Sequence, residues 1–113
     1  MSNSLESTGN AGYQNLMSAQ FAEGLRQPGA VLVELRRPDE FATGHLPGAV
    51  NIDVTAPDLS QRTAVLDNTK PTYVYCRSGA RSATAAGQLT TAGFAQVANL
   101  LGGVLDWPGT LTR

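Results

Sequence analysis

The chain has 113 residues, enough for one buried core and too few for two domains. It is 42% hydrophobic and only 15% charged, against an average near ~25% for soluble proteins. A net charge of -1, with no basic run longer than Arg36-Arg37, excludes the basic patch that nucleic acid or an anionic membrane surface requires.

The single cysteine cannot close an internal disulfide, so the chain does not need an oxidising compartment. No apolar run approaches the ~20 residues that span a bilayer. The opening MSNSLESTGNAG lacks both the basic start and the apolar centre of a signal peptide. A cytoplasmic protein is expected.

Residues 1–11 are rich in Ser, Asn, Gly and Thr and have little to bury, which predicts a flexible tail and leaves 12–113 as the domain. Residues 13–17 read as a short edge strand. Ser18 suits the N-cap of a helix running to Arg26, with Phe21 and Leu25 on one face and Pro28-Gly29 ending it. AVLVEL at 30–35 is a continuous apolar run broken only by Glu34, the pattern of a strand covered on both faces. Residues 38–43 predict a helical turn with Asp39 and Glu40 at its positive end.

A short strand at 49–53 and a helix over 57–66, with Leu59, Val65 and Leu66 as its apolar residues, follow. TYVY at 72–75 is β-branched and aromatic and predicts a buried strand. The helix expected from about Arg81 to Ala92 places Ala85, Leu89 and Ala92 on one side, with Gly93 suited to the C′ position. A last strand over 97–101, Gly102-Gly103 and a short helical segment ending at Trp107-Pro108 complete the chain. Alternating strands and helices give an α/β fold with a largely parallel sheet.

The stretch YVYCRSGARSATAAG at 73–87 holds the only cysteine. In open α/β sheets ligands bind at the carboxyl ends of strands, where Cys76 falls. The turn through Arg77, Ser78, Gly79 and Ala80 is tight, and Gly79 supplies its conformational freedom. Successive amides in such a turn can converge on an anion beside a helix N-terminus. A thiol there is pushed toward thiolate, and Arg77 and Arg81 add charge and forked donors for an oxyanion. A lone cysteine is more often core filler, but the Arg-Ser-Gly-Ala-Arg that follows does not suit a core. Cysteine phosphatases place five residues between nucleophile and arginine. Here four separate Cys76 from Arg81, and Ser82 takes the phosphatase position, so the smaller cradle favours sulfur over phosphate.

Three segments, spread over about residues 12–110, carry a resemblance. LVELR at 32–36, PDEF at 38–41 and GHLPGAVN at 44–51 are similar to the first signature of the rhodanese family. YCRSGARS at 75–82 resembles its active-site loop. AGF at 92–94, NLLGG at 99–103 and Trp107 resemble its C-terminal signature. The chain therefore resembles a single-domain rhodanese, a sulfurtransferase. The resemblance implies a three-layer domain with a roughly five-stranded, mainly parallel sheet flanked by helices. It also implies that Cys76 takes a sulfane sulfur from a donor such as thiosulfate, holds it as a persulfide in the loop formed by Arg77, Ser78, Gly79, Ala80, Arg81 and Ser82, and passes it to cyanide or a thiol. No metal or organic cofactor is implied. The expected partners are a small anionic donor and a thiol or cyanide acceptor, with a protein acceptor as a further option, for a monomer or weak homodimer.

Glu34 stands where the family usually has Asp, which alters a structural contact near the loop, with Arg36 one candidate partner. Ala80 replaces a commonly polar residue. Arg36 and Trp107 are candidates for the pocket periphery, weighed against an Arg36–Glu40 ion pair four residues apart and a packing role for Trp107. His45, the only histidine, is structural in the resembled family, and a thiolate already formed needs no base. Two other functions compete: a non-enzymatic interaction or sulfur-sensing module on the same fold, and a phosphatase or arsenate reductase.

Overall fold

The computed structural model describes residues 12–53 and 59–113. In chain order it contains β1 (Gln14–Leu16), α1 (Ser18–Gly24), β2 (Val31–Glu34), α2 (Pro38–Thr43), β3 (Val50–Asn51), α3 (Leu59–Thr63), β4 (Thr72–Tyr75), α4 (Ala80–Thr91), β5 (Val97–Leu100) and a 3-10 helix (Gly103–Asp106). The tail expected over 1–11 and the expected start of the third helix at Pro57 lie outside the described residues.

The strands form one sheet in the order β1-β5-β4-β2-β3, with each neighbouring pair parallel. This is the α/β architecture expected from the alternation. The two-residue side-chain period divides the core into two layers. Val33 pairs with Val74, and both pack with Ala85, Ala86 and Leu89 of α4 on one face. Leu32 pairs with Tyr73, and both pack against Phe21 of α1 on the other. Phe21 is wholly buried and meets the Tyr73 ring edge-on at 5.1 Å. β4 lies at the centre, between β5 and β2, with all four residues buried.

Four local expectations are corrected. Ser18 is the first helical residue, not the cap; Met17 holds the N-cap position with extended backbone, and no side chain caps α1. The helix starts one residue earlier than expected: β1 ends at Leu16, whose carbonyl accepts the Leu101 amide at 2.8 Å, and the Met17 carbonyl already accepts the Phe21 amide at 2.9 Å. Val65 is 83% exposed because α3 ends at Thr63, whereas Leu59 and Leu66 pack toward the α4 layer. Ala92 is the exposed C-cap of α4, beyond the buried face made by Ala85 and Leu89. The last strand stops at Leu100, leaving Leu101 exposed.

Candidate active site

Cys76 directly follows β4 and is only 1% exposed. Its Sγ accepts the Gly79 amide at 3.2 Å and the Ser82 amide at 3.4 Å. The turn that brings both amides to one sulfur depends on Gly79, whose φ of +98° is in the left-handed region and which caps α4. A Cβ there would also stand 3.1 Å from the Leu100 carbonyl and 3.2 Å from the Gly102 nitrogen, so the loop rests on the end of β5. The Cys76 and Arg77 carbonyls accept the Val104 and Leu105 amides at 3.0 and 3.1 Å. Gly103 is buried against those same carbonyls, where a Cβ would collide.

Behind the sulfur lies a buried polar chain. The Ser82 hydroxyl donates to Asn99 Oδ1 at 2.5 Å, with the Gly79 carbonyl at 3.3 Å also within reach. The Asn99 amide nitrogen donates to Asn15 Oδ1 at 3.0 Å and to the Gly79 carbonyl at 3.3 Å. Register explains this placement: Asn99 pairs with Val74, so its side chain shares the α4 face with the loop.

Burial pushes the Cys76 thiol pKa up. Hydrogen bonding by Ser82 and by the amides of Gly79 and Ser78 outweighs that effect and holds the thiol below its ordinary value. The charges of Arg77 and Arg81 are not among the leading causes. Arg77 is exposed to screening solvent, and Arg81 Nη2 lies 3.9 Å from Glu40 Oε1. Ser78 and Ala80 are exposed on the loop.

The expected Arg36–Glu40 pair does not form. Arg36 is 6% exposed; its Nε donates to Glu34 Oε2, and its Nη2 donates to the Gly44 carbonyl at 2.5 Å. Glu34 Oε1 accepts the Tyr75 hydroxyl at 2.5 Å, and that hydroxyl accepts the Leu46 amide at 2.9 Å. Burial, and next the bond to Glu34, push the Tyr75 hydroxyl far above its ordinary pKa. Arg36 is thus part of a buried network that joins β2, β4 and the segment after α2. His45 stacks on Phe41 at 3.7 Å, and its backbone exchanges two 2.8 Å hydrogen bonds with Thr112. Trp107 packs with the α1 layer, edge-on to Phe21 at 6.3 Å.

Sequence reasoning missed Asn15 and Asn99 as supports of the loop. Asn99 left a signal, a polar residue inside the otherwise apolar strand VANL; Asn15, on an edge strand, left none. A cavity of about 470 Å³ between α3 and α4, lined by Leu59, Leu66, Leu89 and Phe94 among others, includes none of residues 76–82. Among the described residues no cluster of His, Cys, Asp and Glu is assembled that could hold a metal ion, and no helix is long and apolar enough to cross a membrane.

The family model for the rhodanese-like domain matches residues 17–109, which spans both the network around Arg36 and the cysteine loop. The chain belongs to the rhodanese-like family. Among its relatives, the uncharacterized protein YqhL of Bacillus subtilis is 37% identical over 98 residues, covering 87% of this chain and 75% of that protein. The thiosulfate sulfurtransferase GlpE of Pseudomonas entomophila is 38% identical over 94 residues, covering 83% of this chain and 84% of that protein. Among solved structures, a rhodanese-related protein from Thermoplasma volcanium matches with a TM-score of 0.77 at 24% identity, over 88% of this chain and 98% of the other. That likeness is one of rhodanese-like fold. It agrees with the five-stranded parallel sheet.

Proposed function

We propose that this rhodanese-like protein is a sulfurtransferase that carries sulfane sulfur on Cys76. The observation that carries the reading is the Cys76 sulfur itself, held by the Gly79 and Ser82 amides at the carboxyl end of β4 with its pKa lowered. Relatives named thiosulfate sulfurtransferase support the reaction class.

In the first half-reaction the Cys76 thiolate attacks the outer sulfur of thiosulfate. A new S–S bond forms to Sγ, the S–S bond of thiosulfate breaks, and sulfite leaves with the electron pair. Charge is conserved, because a thiolate and a dianion become a persulfide anion and a dianion. In the second half-reaction cyanide or a thiolate attacks the outer sulfur, and Cys76 departs as thiolate. This double displacement predicts ping-pong kinetics. Amides of residues 77–81 stabilise the terminal persulfide anion, as preorganised donors stabilise an oxyanion.

Near-complete burial of Cys76 favours a small donor, and the persulfide then carries the reactive atom outward by about 2 Å, the length of an S–S bond. That step makes a bulkier acceptor, including a protein thiol, compatible with a deep cysteine. Cytoplasmic thiol chemistry is consistent with the lone free cysteine.

The test is intact mass after incubation with thiosulfate, a glutathione persulfide and mercaptopyruvate. The wild type gains one sulfur and loses it again to cyanide, while Cys76→Ser gains none. A wild type that gains no sulfur from any donor overturns the proposal. Cys76-dependent hydrolysis of an aryl phosphate in its place assigns the cradle to phosphate.

A further inference from the structure

The two guanidinium groups flanking the cysteine loop are not equivalent. Arg77 is exposed and makes no ion pair among the described residues. Arg81, at the start of α4, places Nη2 3.9 Å from Glu40 Oε1, with the two side chains 40% and 25% exposed. Sheet order explains the encounter. β2 and β4 are parallel neighbours, so α2, which follows β2, and the loop, which follows β4, emerge at the same edge.

Glu40 is fixed in that place by its own helix. The same Oε1 accepts the Arg37 amide at 3.1 Å, as the N3 partner of a capping box. The Arg37 guanidinium is turned to Asp39, with contacts of 3.2 and 3.1 Å. A carboxylate is therefore held beside one of the two cations that flank the proposed sulfur site. Exposed pairs of this kind contribute little to stability, so the consequence of this one lies in the electrostatics of the rim.

We infer that Glu40 is a positioning residue that keeps Arg81 partly neutralised and so weakens the hold of the rim on dianions, both the thiosulfate donor and the departing sulfite. The inference rests on the sulfurtransfer reading above. Its physical content is a balance. A fully cationic rim would draw thiosulfate in more strongly, but sulfite, a product of equal charge, would then occupy the same site and exclude the acceptor. Glu40 offers Arg81 a resident anion and repels an incoming one, which sets donor capture against product release.

Glu40→Gln tests this directly. The amide oxygen can still accept the Arg37 amide, so the capping box survives while the charge is removed. In ping-pong kinetics kcat/KM for the donor reports persulfide formation alone. For thiosulfate it rises by about three- to tenfold at low ionic strength, and the gain shrinks as salt increases. The inhibition constant for sulfite falls in parallel. Benzenethiosulfonate, a monoanionic donor, gains less, and Glu40→Asp, which retains the charge, stays near the wild type. Unchanged donor kinetics in Glu40→Gln, equal gains for both donors, or a Glu40→Asp enzyme that behaves like Glu40→Gln would each overturn the inference. A wild type that loads sulfur while Glu40→Gln is unaltered sinks the role of Glu40 alone. A wild type that never loads sulfur from any donor takes down the sulfurtransfer reading and this inference with it.

Discussion

Cys76 stands between two opposed effects, burial that disfavours its charge and hydrogen bonds that favour it. Ser82 contributes to the second twice, through its amide at 3.4 Å and through its hydroxyl. The hydroxyl has a single proton, so it serves the thiolate only by turning from Asn99 Oδ1, which accepts it at 2.5 Å in this structure, while Asn15 and the Gly79 carbonyl fix the orientation of the Asn99 amide. Ser82→Ala deletes the hydroxyl and leaves the amide in place. The lowered thiol pKa raises the thiolate fraction at neutral pH, so losing the donor moves the titration midpoint upward. Sulfur loading then slows by about tenfold at neutral pH, the effect of one hydrogen bond to a charged group, and recovers at alkaline pH. Thiolate ultraviolet absorbance against pH, together with the pH profile of loading, measures both. An unmoved midpoint would assign the lowering to the backbone amides alone.

At the scale of elements, the 3-10 helix is a buttress for the loop. Val104 and Leu105 donate to the carbonyls of Cys76 and Arg77, and the buried Gly103 has a φ of +59°. Gly103→Ala introduces a Cβ against both carbonyls and forces a left-handed backbone on alanine, a cost of about 1–3 kcal/mol before any steric shift. Thermal unfolding is expected to fall, and thiol reactivity to fall with it because the loop must move; a lower melting temperature with unchanged reactivity would separate the two elements. The strand 72–75, the turn and the helix after it were legible because a continuous apolar run, a glycine and an alanine-rich face each imply one local structure. The start of α1 was not legible to the residue, because the serine that suits a cap lies one position inside the helix, whose first bond runs from the Phe21 amide to the Met17 carbonyl. The cradle was legible as an anion site, because a tight turn with a glycine before a helix implies converging amides, and arginine charge was expected beside them. The leading causes of the lowered thiol pKa are hydrogen bonds from Ser82, Gly79 and Ser78.

At the scale of the whole molecule, Glu34, Arg36 and Tyr75 tie β2, β4 and the segment at Gly44 and Leu46 into one buried unit, with Asn51 donating to the Arg36 and Glu34 carbonyls at 2.8 and 3.2 Å. Such a unit lends specificity more than stability, since desolvation offsets much of the Coulombic gain. Removing one member is another matter. Arg36→Met leaves the wholly buried Glu34 carboxylate without its cation, an expected loss of about 3–5 kcal/mol from a total of the order of 5–15. Glu34→Gln keeps an acceptor for the Tyr75 hydroxyl but leaves Arg36 without its carboxylate. Combining the two removes both charges at once, so the double variant loses less than the sum of the singles, with a coupling of about 1–3 kcal/mol measured by urea unfolding. Additive losses would mean that the two groups act independently despite their contact. Because Tyr75 immediately precedes Cys76 at the end of the central strand, the same series also reads out function. Sulfur loading should follow stability across the singles and recover partly in the double variant, since the network positions the strand end and takes no direct part in the transfer.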